Sequence, residues 1–437
     1  MDKLAIGGGD PIWSGDWPEW PMHDQREIDA VTDVIRSGKW WRHAHGRGAE
    51  LLEDAETGPG SEVARFCEAF ARCHDCRFGI ATANGTVSLE IALRALGIGP
   101  GDEVIVPAYT YVATASAVLT VNAVPIFVDI DPETCNIDPA RVAEAVTDRT
   151  KAVIPVHFGG QPADMDAINA IARERGLAVL EDAAHAHGAV YNGRKAGSLA
   201  DAGSFSFQAS KPMTAGEGGI ITANRDDVAE MCESLVWAGR KKGHPWYRHF
   251  VLASNARMTE LQGAILSVQL TRLEDQIQQR MRNALTLDGL LSGIEGVRPC
   301  AVLPSTTVHT YHIYMLRYEP SAFGGMTKAE FVDALVAEGI TVAMTGYGTP
   351  LYRNPMFLEK QMWGDGCPVD CPKYGRDIDY GEFASKCPVT ERVCATEAVW
   401  LQQVALMGGD EHLNAIAQAI EKIQRHARRA AAGALRQ

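Results

Sequence analysis

The sequence has no excess of basic residues. Its 41 Lys and Arg are outnumbered by 55 Asp and Glu, so the net charge is 41 − 55 = −14. An acidic chain has no bulk electrostatic attraction for nucleic acid or for an anionic membrane surface. We therefore expect neither a nucleic acid nor a membrane as a partner.

Cysteine is also sparse, with 10 residues in a chain of 437. Disulfide frameworks are typical of short secreted chains, and this chain is long. Cys73 and Cys76 form a CxxC, but a zinc site needs a second pair of ligands. Cys387 and Cys394 lie seven residues apart, which is not a usual ligand spacing. We expect ordinary reduced thiols and no metal site.

A leader peptide is not recognisable, because MDKLAIGGGDPIW has no continuous apolar core. Residues 104–128 carry no charge and are long enough to span a bilayer. They contain Pro107, Asn122 and Pro125 together with several hydroxyl side chains. We interpret this stretch as strand, loop, helix and strand inside a protein core, and we predict a cytoplasmic protein.

The chain has an ordinary globular composition, with 46% apolar and 22% charged residues. At about 150 residues per domain, its length suggests two or three domains, or one large and one smaller domain. Short Val/Ile-rich runs alternate with helical patterns such as PARVAEAVT, and these runs lie at 103–109, 124–130, 152–158 and 178–184. Continuous apolar strands between helices favour an α/β fold with a mainly parallel sheet covered on both faces.

The second part of the chain has a different pattern. One long helical pattern runs from about Thr259 to Gly293, and such an element often bridges two domains. A strand-like segment at 309–318, a helix in KAEFVDALVAEG and a C-terminal helix at about 411–432 follow. We predict an N-terminal segment with a large domain at 1–275 and a smaller α+β domain at 276–437.

Asp182 and Lys211 are the first candidates for chemistry. Asp182 ends the apolar strand AVLED, at the edge where open α/β sheets bind ligands. Lys211 ends the otherwise uncharged run SFSFQASK, where desolvation would lower its pKa and allow it to form a Schiff base with a carbonyl. A carboxylate beside the ring nitrogen of pyridoxal phosphate keeps that ring an electron sink. Taken alone, each residue also fits a structural or solvated role.

A phosphate site is the second candidate. Asn84, Gly85 and Thr86 lie between a predicted strand and the start of a helix, where free backbone amides and the helix dipole attract an anion. Ser206 could add a hydroxyl, and Tyr111 could stack on a pyridine ring. An ordinary helix cap and a core aromatic explain these residues equally well when each is considered alone.

Several long strings, in order along nearly the whole chain, resemble the DegT/StrS family of sugar and cyclitol aminotransferases. They are NGTVSLEIALRALGIGPGDEVIVPAYTYVATASAV, VDIDPETCNIDP, VIPVHFGGQPADMD, LEDAAHAHGA, GSFSFQASKPMTAGEGG and SNARMTELQGAI. The resemblance implies fold type I, with pyridoxal 5'-phosphate as cofactor.

The resemblance also implies roles for single residues. Lys211 matches the lysine that binds the cofactor covalently and later shuttles a proton. Asp182 matches the acid paired with the pyridine nitrogen, and His185 matches the position that hydrogen-bonds the ring hydroxyl. Tyr111 matches the aromatic residue that stacks on the ring.

The phosphate cradle of the family matches Gly85, Thr86 and Ser206. Asn255, in SNARMTE, matches an asparagine that reaches the phosphate from the neighbouring subunit. The resemblance therefore implies a homodimer with shared active sites.

Some strings resemble the antibiotic-associated branch, in which scyllo-inosose-type cyclitols are aminated and 3-amino-5-hydroxybenzoate is made. They include PEWPMHDQREIDAVTDVIRSGKWWR and CPVTERVCATEAVWL. This branch implies L-glutamine, or L-glutamate, as donor and a cyclic ketone as acceptor. A nucleotide-linked keto sugar as acceptor, an aromatising dehydration and a non-catalytic binding role remain alternatives. A dehydratase of the type that replaces the lysine with His is disfavoured by Lys211.

One segment departs from the family pattern. HAHGRGAELLEDAETGPG, at residues 43–60, makes the connection to the next helix about ten residues longer than the resemblance implies. An extension here could reshape the acceptor pocket, with His43 or His45 near the substrate, or it could be a surface insertion.

Overall fold

The computed structural model describes residues 3–41, 61–245 and 247–434. The extension at 43–60, with His43 and His45, lies outside the described residues. The helices are α1 Gln25–Ser37, α2 Glu62–Cys73, α3 Gly85–Ala95, α4 Val112–Thr120, α5 Pro139–Ala145, α6 Met165–Arg175, α7 Asp226–Val236, α8 Glu260–Leu270, α9 Leu273–Leu291, α10 Lys328–Ala337, α11 Pro355–Leu358, α12 Phe383–Lys386, α13 Pro388–Arg392 and α14 Asp410–Ala434.

The strands form three sheets. They are β1 Phe78–Thr82, β2 Glu103–Pro107, β3 Val124–Val128, β4 Thr150–Val153, β5 Ala178–Asp182, β6 Val190–Tyr191, β7 Arg194–Lys195, β8 Ala202–Ser206, β9 Gly219–Ala223, β10 Val297–Pro299, β11 Thr306–Val308, β12 Ile313–Tyr318, β13 Ala343–Met344 and β14 Ala398–Gln402. The large sheet has the order β1-β9-β8-β5-β4-β2-β3, the second sheet has the order β10-β12-β14-β13, and the small third sheet has the order β11-β6-β7.

The large sheet is mainly parallel, as the sequence predicted. Strands β8, β5, β4, β2 and β3 pair in parallel, whereas β9 pairs antiparallel with both β8 and β1. The apolar runs form these strands because both faces of the sheet are covered. Residues 104–128 form most of β2, then α4 and β3, so the interpretation of this stretch as core is confirmed. No helix in the described part of the chain is both long and apolar enough to cross a bilayer.

The second sheet is antiparallel and carries its own core. Tyr314, Leu316 and Leu401 on its strands pack against α10 and α14 residues such as Phe331 and Ile416. An antiparallel sheet packed against helices agrees with the predicted smaller α+β domain. The boundary between residues 275 and 276 stays a prediction.

Each sheet also packs against residues from the other half of the chain. In the N-terminal segment, Leu4 packs into the core of the second sheet, and Trp13 N donates to Glu338 O over 2.9 Å. In the other direction, Tyr352 and Tyr380 pack around Phe127 on the large sheet. The N-terminal segment thus packs with the second sheet, and part of the C-terminal half of the chain packs on the large sheet.

The long helical pattern after Thr259 is divided into α8 and α9, which corrects the prediction of one helix. At the junction, Thr271 N donates to Val268 O and Arg272 N to Gln269 O, three residues back instead of four. Thr271 Oγ1 also bonds Val268 O over 2.7 Å. A tighter turn of this kind interrupts the regular helix.

The cysteines are all free thiols. Among the residues that the structure describes, no group of three or more His, Cys, Asp or Glu side chains is arranged to hold a metal ion.

Candidate active site

A cavity of about 880 Å³ lies between the carboxyl ends of the large-sheet strands and the second sheet. Seven of the eight residues predicted for the site line it, namely Gly85, Thr86, Tyr111, Asp182, His185, Ser206 and Lys211. They meet because the carboxyl ends of neighbouring parallel strands share one edge of the sheet.

Asp182 is the last residue of β5 and is buried. Thr114 Oγ1, from the first turns of α4, donates to Asp182 Oδ2 over 2.8 Å, and Ala184 N donates to Oδ1 over 3.3 Å. Burial raises the pKa of the Asp182 carboxyl, while the bond from Thr114 and the charge of Lys211 act in the opposite direction. The two hydrogen bonds therefore fix the carboxyl group in place, and the bond from Thr114 and the charge of Lys211 offset only part of the effect of burial.

Lys211 lies in the loop between β8 and β9, and its backbone N donates to Gln208 O over 2.9 Å. Burial lowers the pKa of the Lys211 ammonium to about 8, and the negative charge of Asp182 only partly offsets this effect. A larger fraction of Lys211 is therefore neutral near pH 7 to 8 than of an exposed lysine. Neutral amines are nucleophiles and bases, so the residue is prepared for either role.

His185 is buried beside the cavity, three residues after Asp182. Gly159 N donates to His185 Nδ1 over 3.3 Å, so the neutral ring carries its proton on Nε2. Burial and the nearby charge of Lys211 hold the pKa of His185 well below its ordinary value. The ring is therefore a neutral donor through Nε2.

The start of α3 approaches the end of β8 very closely. A Cβ at Gly85 would lie 2.6 Å from Ser206 Cβ, which only glycine avoids. Asn84 caps α3, with Val87 N donating to its side chain over 2.9 Å. The amides of Gly85 and Thr86 precede the first hydrogen bond within the helix, so they are placed to bind an anion.

Tyr111 is the residue before α4, and 59% of it is exposed. It lines the cavity instead of joining the core. The alternative of a core aromatic is therefore wrong, and stacking on a cofactor ring stays a prediction.

Asn255 is separate from the other predicted residues. It is exposed, forms an isolated bridge with Trp237, and is not among the described residues that line its own chain's cavity. A role in the site of a neighbouring subunit stays a prediction.

Sequence reasoning missed several residues that line the cavity or support a residue lining it. Thr114 supports Asp182, and His312 lies with its ring 4.3 Å from that of His185. Trp20 Nε1 donates to Ala209 O over 3.0 Å, and Gln403 Nε2 donates to Ser210 O over 2.7 Å. The last two hold the carbonyl groups of the two residues before Lys211.

The residues fit pyridoxal phosphate. Position 85 has no room for a side chain and lies beside two backbone amides at the start of α3. A phosphate cradle requires this kind of arrangement. A buried carboxylate, a neutral imidazole donor and a lysine of lowered pKa line the same cavity. This donor set matches a phosphate, a ring nitrogen, a ring hydroxyl and a carbonyl carbon.

Comparison with known proteins gives the same assignment. The model of the DegT/DnrJ/EryC1/StrS aminotransferase family matches residues 23–370. A Streptomyces fradiae protein named L-glutamine:2-deoxy-scyllo-inosose aminotransferase is 38% identical over 436 residues, which cover 98% of each chain.

Solved structures extend this similarity to the fold. The crystal structure of 3-amino-5-hydroxybenzoic acid synthase has a TM-score of 0.82 at 34% identity, covering 94% of this chain and 100% of that one. The structure of DesI in the presence of its TDP-sugar product has a TM-score of 0.76 at 26% identity, covering 99% and 98%.

Proposed function

This chain belongs to the DegT/DnrJ/EryC1/StrS aminotransferase family and is a pyridoxal-phosphate-dependent aminotransferase of fold type I, and we propose that it transfers the amino group of L-glutamine to a ketone of an uncharged cyclitol. The observation that carries the acceptor proposal is the charge of the cavity. Among the described residues that line it, Lys211 is the only Lys or Arg.

The cofactor, when bound, supplies a carbonyl that accepts amines and a ring that withdraws electrons. We propose that Lys211 Nζ takes a proton from the α-carbon of the amine donor and gives one to the acceptor carbon that receives the amine. With the cofactor bound, the Asp182 carboxyl would keep a negative charge beside the ring nitrogen, and His185 would donate to the ring hydroxyl. Gly85, Thr86 and Ser206 would hold the phosphate, and Tyr111 would cover the ring.

The lowered pKa of Lys211 supports this role. A base must be neutral before it accepts a proton, and a pKa near the working pH gives a large neutral fraction without making the amine too weak. His185 also stays neutral, because burial disfavours its charged form.

The acceptor proposal follows from what a nucleotide-linked sugar would require. A diphosphate is normally met by Arg or Lys side chains, which make charge-assisted hydrogen bonds. The described cavity offers one such side chain, and Lys211 is already committed to the reaction centre. An uncharged polyol ring needs only hydroxyl partners and aromatic or apolar walls, which Trp20, Tyr347 and Trp400 supply.

Amination with dehydration to 3-amino-5-hydroxybenzoate is the second candidate function. The similarity to the synthase of that compound over nearly the whole chain favours it. Product analysis separates the two functions, because simple transamination keeps the ring saturated and the second function makes it aromatic.

We also propose that the protein is a homodimer with shared active sites. The exposed position of Asn255, outside its own chain's cavity, supports a contribution to the neighbouring site.

Two half-reactions test the function. The purified enzyme is mixed with L-glutamine, and the visible absorbance of the bound cofactor should shift as it is converted to its amine form. The isolated amine form is then mixed with a panel of inososes and nucleotide-linked keto sugars, and the absorbance should return with inososes only.

Two results would contradict these proposals separately. No conversion with glutamine, glutamate or alanine would refute aminotransfer by this chain. Recovery with nucleotide-linked sugars but not with inososes would refute the acceptor while leaving the donor half-reaction intact.

A further inference from the structure

Two cysteines meet where the large sheet packs against the second sheet. Cys135 lies in the loop between β3 and α5, and Cys300 follows β10. Their sulfur atoms are 3.8 Å apart, although the two residues are 165 positions apart in the chain. Both belong to a cluster of side chains that also contains Ile313 and Trp400, which line the cavity. The pair therefore lies close to the wall of the cavity that the second sheet supplies.

The backbones around the two cysteines run side by side. Ala301 N donates to Glu133 O over 3.0 Å, and the Arg298 guanidinium makes two bonds to the Glu133 carboxylate, at 2.9 and 3.1 Å. Cys300 N donates to Met315 O on β12 over 3.0 Å. A disulfide needs its sulfur atoms at about 2.05 Å. Because the backbones are already adjacent, rotation of the two side chains can supply the remaining approach of about 1.8 Å.

The groups around the pair favour a thiolate on Cys300. The hydrogen bond from Cys135 lowers the pKa of the Cys300 thiol, against the effect of burial, and the charges of Arg317 and Arg298 lower it further. Donating that bond raises the pKa of Cys135. Arg317 Nη1 also lies 3.7 Å from Cys135 Sγ. Since the thiolate is the form of cysteine that reacts with oxidants, the pair combines a reactive thiol with a second thiol in contact.

The two residues differ in exposure. Cys135 is 1% exposed, whereas Cys300 is partly exposed. We therefore expect a small oxidant to react at Cys300 first and Cys135 to act as the second, resolving thiol. Oxidisable cysteines of this kind often lie next to a resolving cysteine.

We propose that Cys135 and Cys300 are a reversible dithiol–disulfide site, which a peroxide oxidises and which then joins the two sheets covalently. Hydrogen peroxide reacts at Cys300 Sγ, where a sulfur–oxygen bond forms, the oxygen–oxygen bond breaks and one water is released. Cys135 Sγ then attacks Cys300 Sγ, so that the sulfur–sulfur bond forms and a second water leaves. The two thiols together lose two electrons and two protons, and a dithiol reductant restores them.

The bond would stabilise the packing of the two sheets. A cross-link between residues 165 positions apart strongly restricts the unfolded chain, and such restriction favours the folded one. It would also hold the second sheet, which supplies Trp400 to the cavity, against the large sheet. This site depends neither on the cofactor nor on the identity of the acceptor.

The test oxidises the full-length enzyme under native conditions with a small molar excess of hydrogen peroxide. The remaining thiols are alkylated in denaturant, and a digest made without reductant is analysed by mass spectrometry. Peptides joined through Cys135 and Cys300 should appear, and they should separate after treatment with dithiothreitol. The midpoint of thermal unfolding should be about 3–8 °C higher for the oxidised protein than for the reduced protein.

Cys300→Ala and Cys135→Ala should each abolish both the cross-link and the rise in the midpoint, so the test stays decisive if one variant does not fold. Cys394→Ala is the matched control and should keep both, since Cys394 lies in the same cluster and is also 1% exposed. Cys367 and Cys371 are a second hydrogen-bonded pair that peroxide could oxidise. They lie four positions apart, so a bond between them restricts the unfolded chain much less and should not raise the midpoint in this way.

Three results would overturn the inference. Cys135 and Cys300 could both remain thiols after peroxide has oxidised Cys367 and Cys371. Cys300 could gain oxygen atoms while Cys135 remains a thiol, which would make Cys300 a single oxidisable residue without a partner in the reaction. The cross-link could form without raising the midpoint, which would show that it does not stabilise the packing of the two sheets.

Discussion

The approach of Gly85 to Ser206 gives the sharpest test of the proposed phosphate cradle. Gly85→Ala adds a single methyl group at a position where the new Cβ would lie 2.6 Å from Ser206 Cβ and 3.0 Å from Ser206 Oγ. Comfortable contacts between carbon atoms lie at about 3.5–4.0 Å. The start of α3 and the end of β8 must therefore separate by about 1 Å.

The separation acts on cofactor affinity through the helix-start amides. A displacement of about 1 Å is enough to break one hydrogen bond to a phosphate oxygen, and a bond to a charged group contributes about 1.5–3 kcal/mol. We expect affinity to fall about 10- to 150-fold, since each 1.4 kcal/mol is a factor of ten. Overpacking alone should lower the free energy of unfolding by about 1–3 kcal/mol.

The assay measures the dissociation constant of pyridoxamine phosphate, whose binding needs no covalent attachment to the protein. Thermal unfolding of the cofactor-free variant reports the overpacking separately. Ser206→Gly in the Gly85→Ala background removes the atom that clashes, so it should restore stability and part of the affinity. The single variant Ser206→Gly measures what the lost hydroxyl alone contributes.

The double variant decides the mechanism. If the two substitutions weaken binding additively, the clash is not the cause of the lost affinity. If Gly85→Ala binds pyridoxamine phosphate as the wild type does, the start of α3 is not the phosphate site and the proposed cradle is wrong.

Other predictions concern the reaction centre and the shared site. Lys211→Ala should bind the cofactor without a borohydride-reducible adduct, and an adduct found by mass spectrometry would show that another lysine is used. In the cofactor-free protein, labelling of Lys211 by an amine-reactive reagent should have its midpoint near pH 8, because burial lowers the pKa and the residue is neutral above that pH; a midpoint near 10.5 would refute the argument. Thr114→Val should slow the glutamine half-reaction about tenfold, most strongly at low pH, because the pKa of Asp182 rises further and its carboxylate is lost as pH falls; an effect that does not depend on pH would contradict this account. Hybrid dimers of Lys211→Ala and Asn255→Ala chains should regain activity, and no recovery despite proven subunit exchange would refute the role of Asn255.

Sequence spacing predicted the residues that lie at strand ends of the large sheet. Asp182 ends β5, Ser206 ends β8, and parallel strands bring such ends to one edge. The α/β fold follows from the same runs of apolar residues. The family resemblance then supplied the roles, which the geometry of a single strand end does not specify.

The remaining parts of the site could not be predicted in this way. Thr114 is one of several hydroxyl residues on α4, and nothing in its spacing distinguishes the one that faces Asp182. Trp20 and Gln403 come from opposite ends of the chain and meet at consecutive carbonyls, Ala209 and Ser210. Contacts of this range depend on how the second sheet packs on the first, which no local pattern encodes.

The cavity has two walls that come from different parts of the chain and have separate roles. The residues proposed to hold the cofactor in the cavity of their own chain lie between 84 and 211, at strand ends, at the starts of α3 and α4 and in the loop before β9. The facing wall is built by the N-terminal segment and by the second sheet, through Trp20, Met344 and Trp400. Substitutions on that wall change what a ring ketone contacts while leaving the bond from Thr114 to Asp182 and the approach of Gly85 to Ser206 in place. Trp20 and Gln403 are the exception, because they donate to carbonyl groups of the loop before Lys211 and so also align the lysine. Acceptor preference can therefore vary freely at the other positions of this wall.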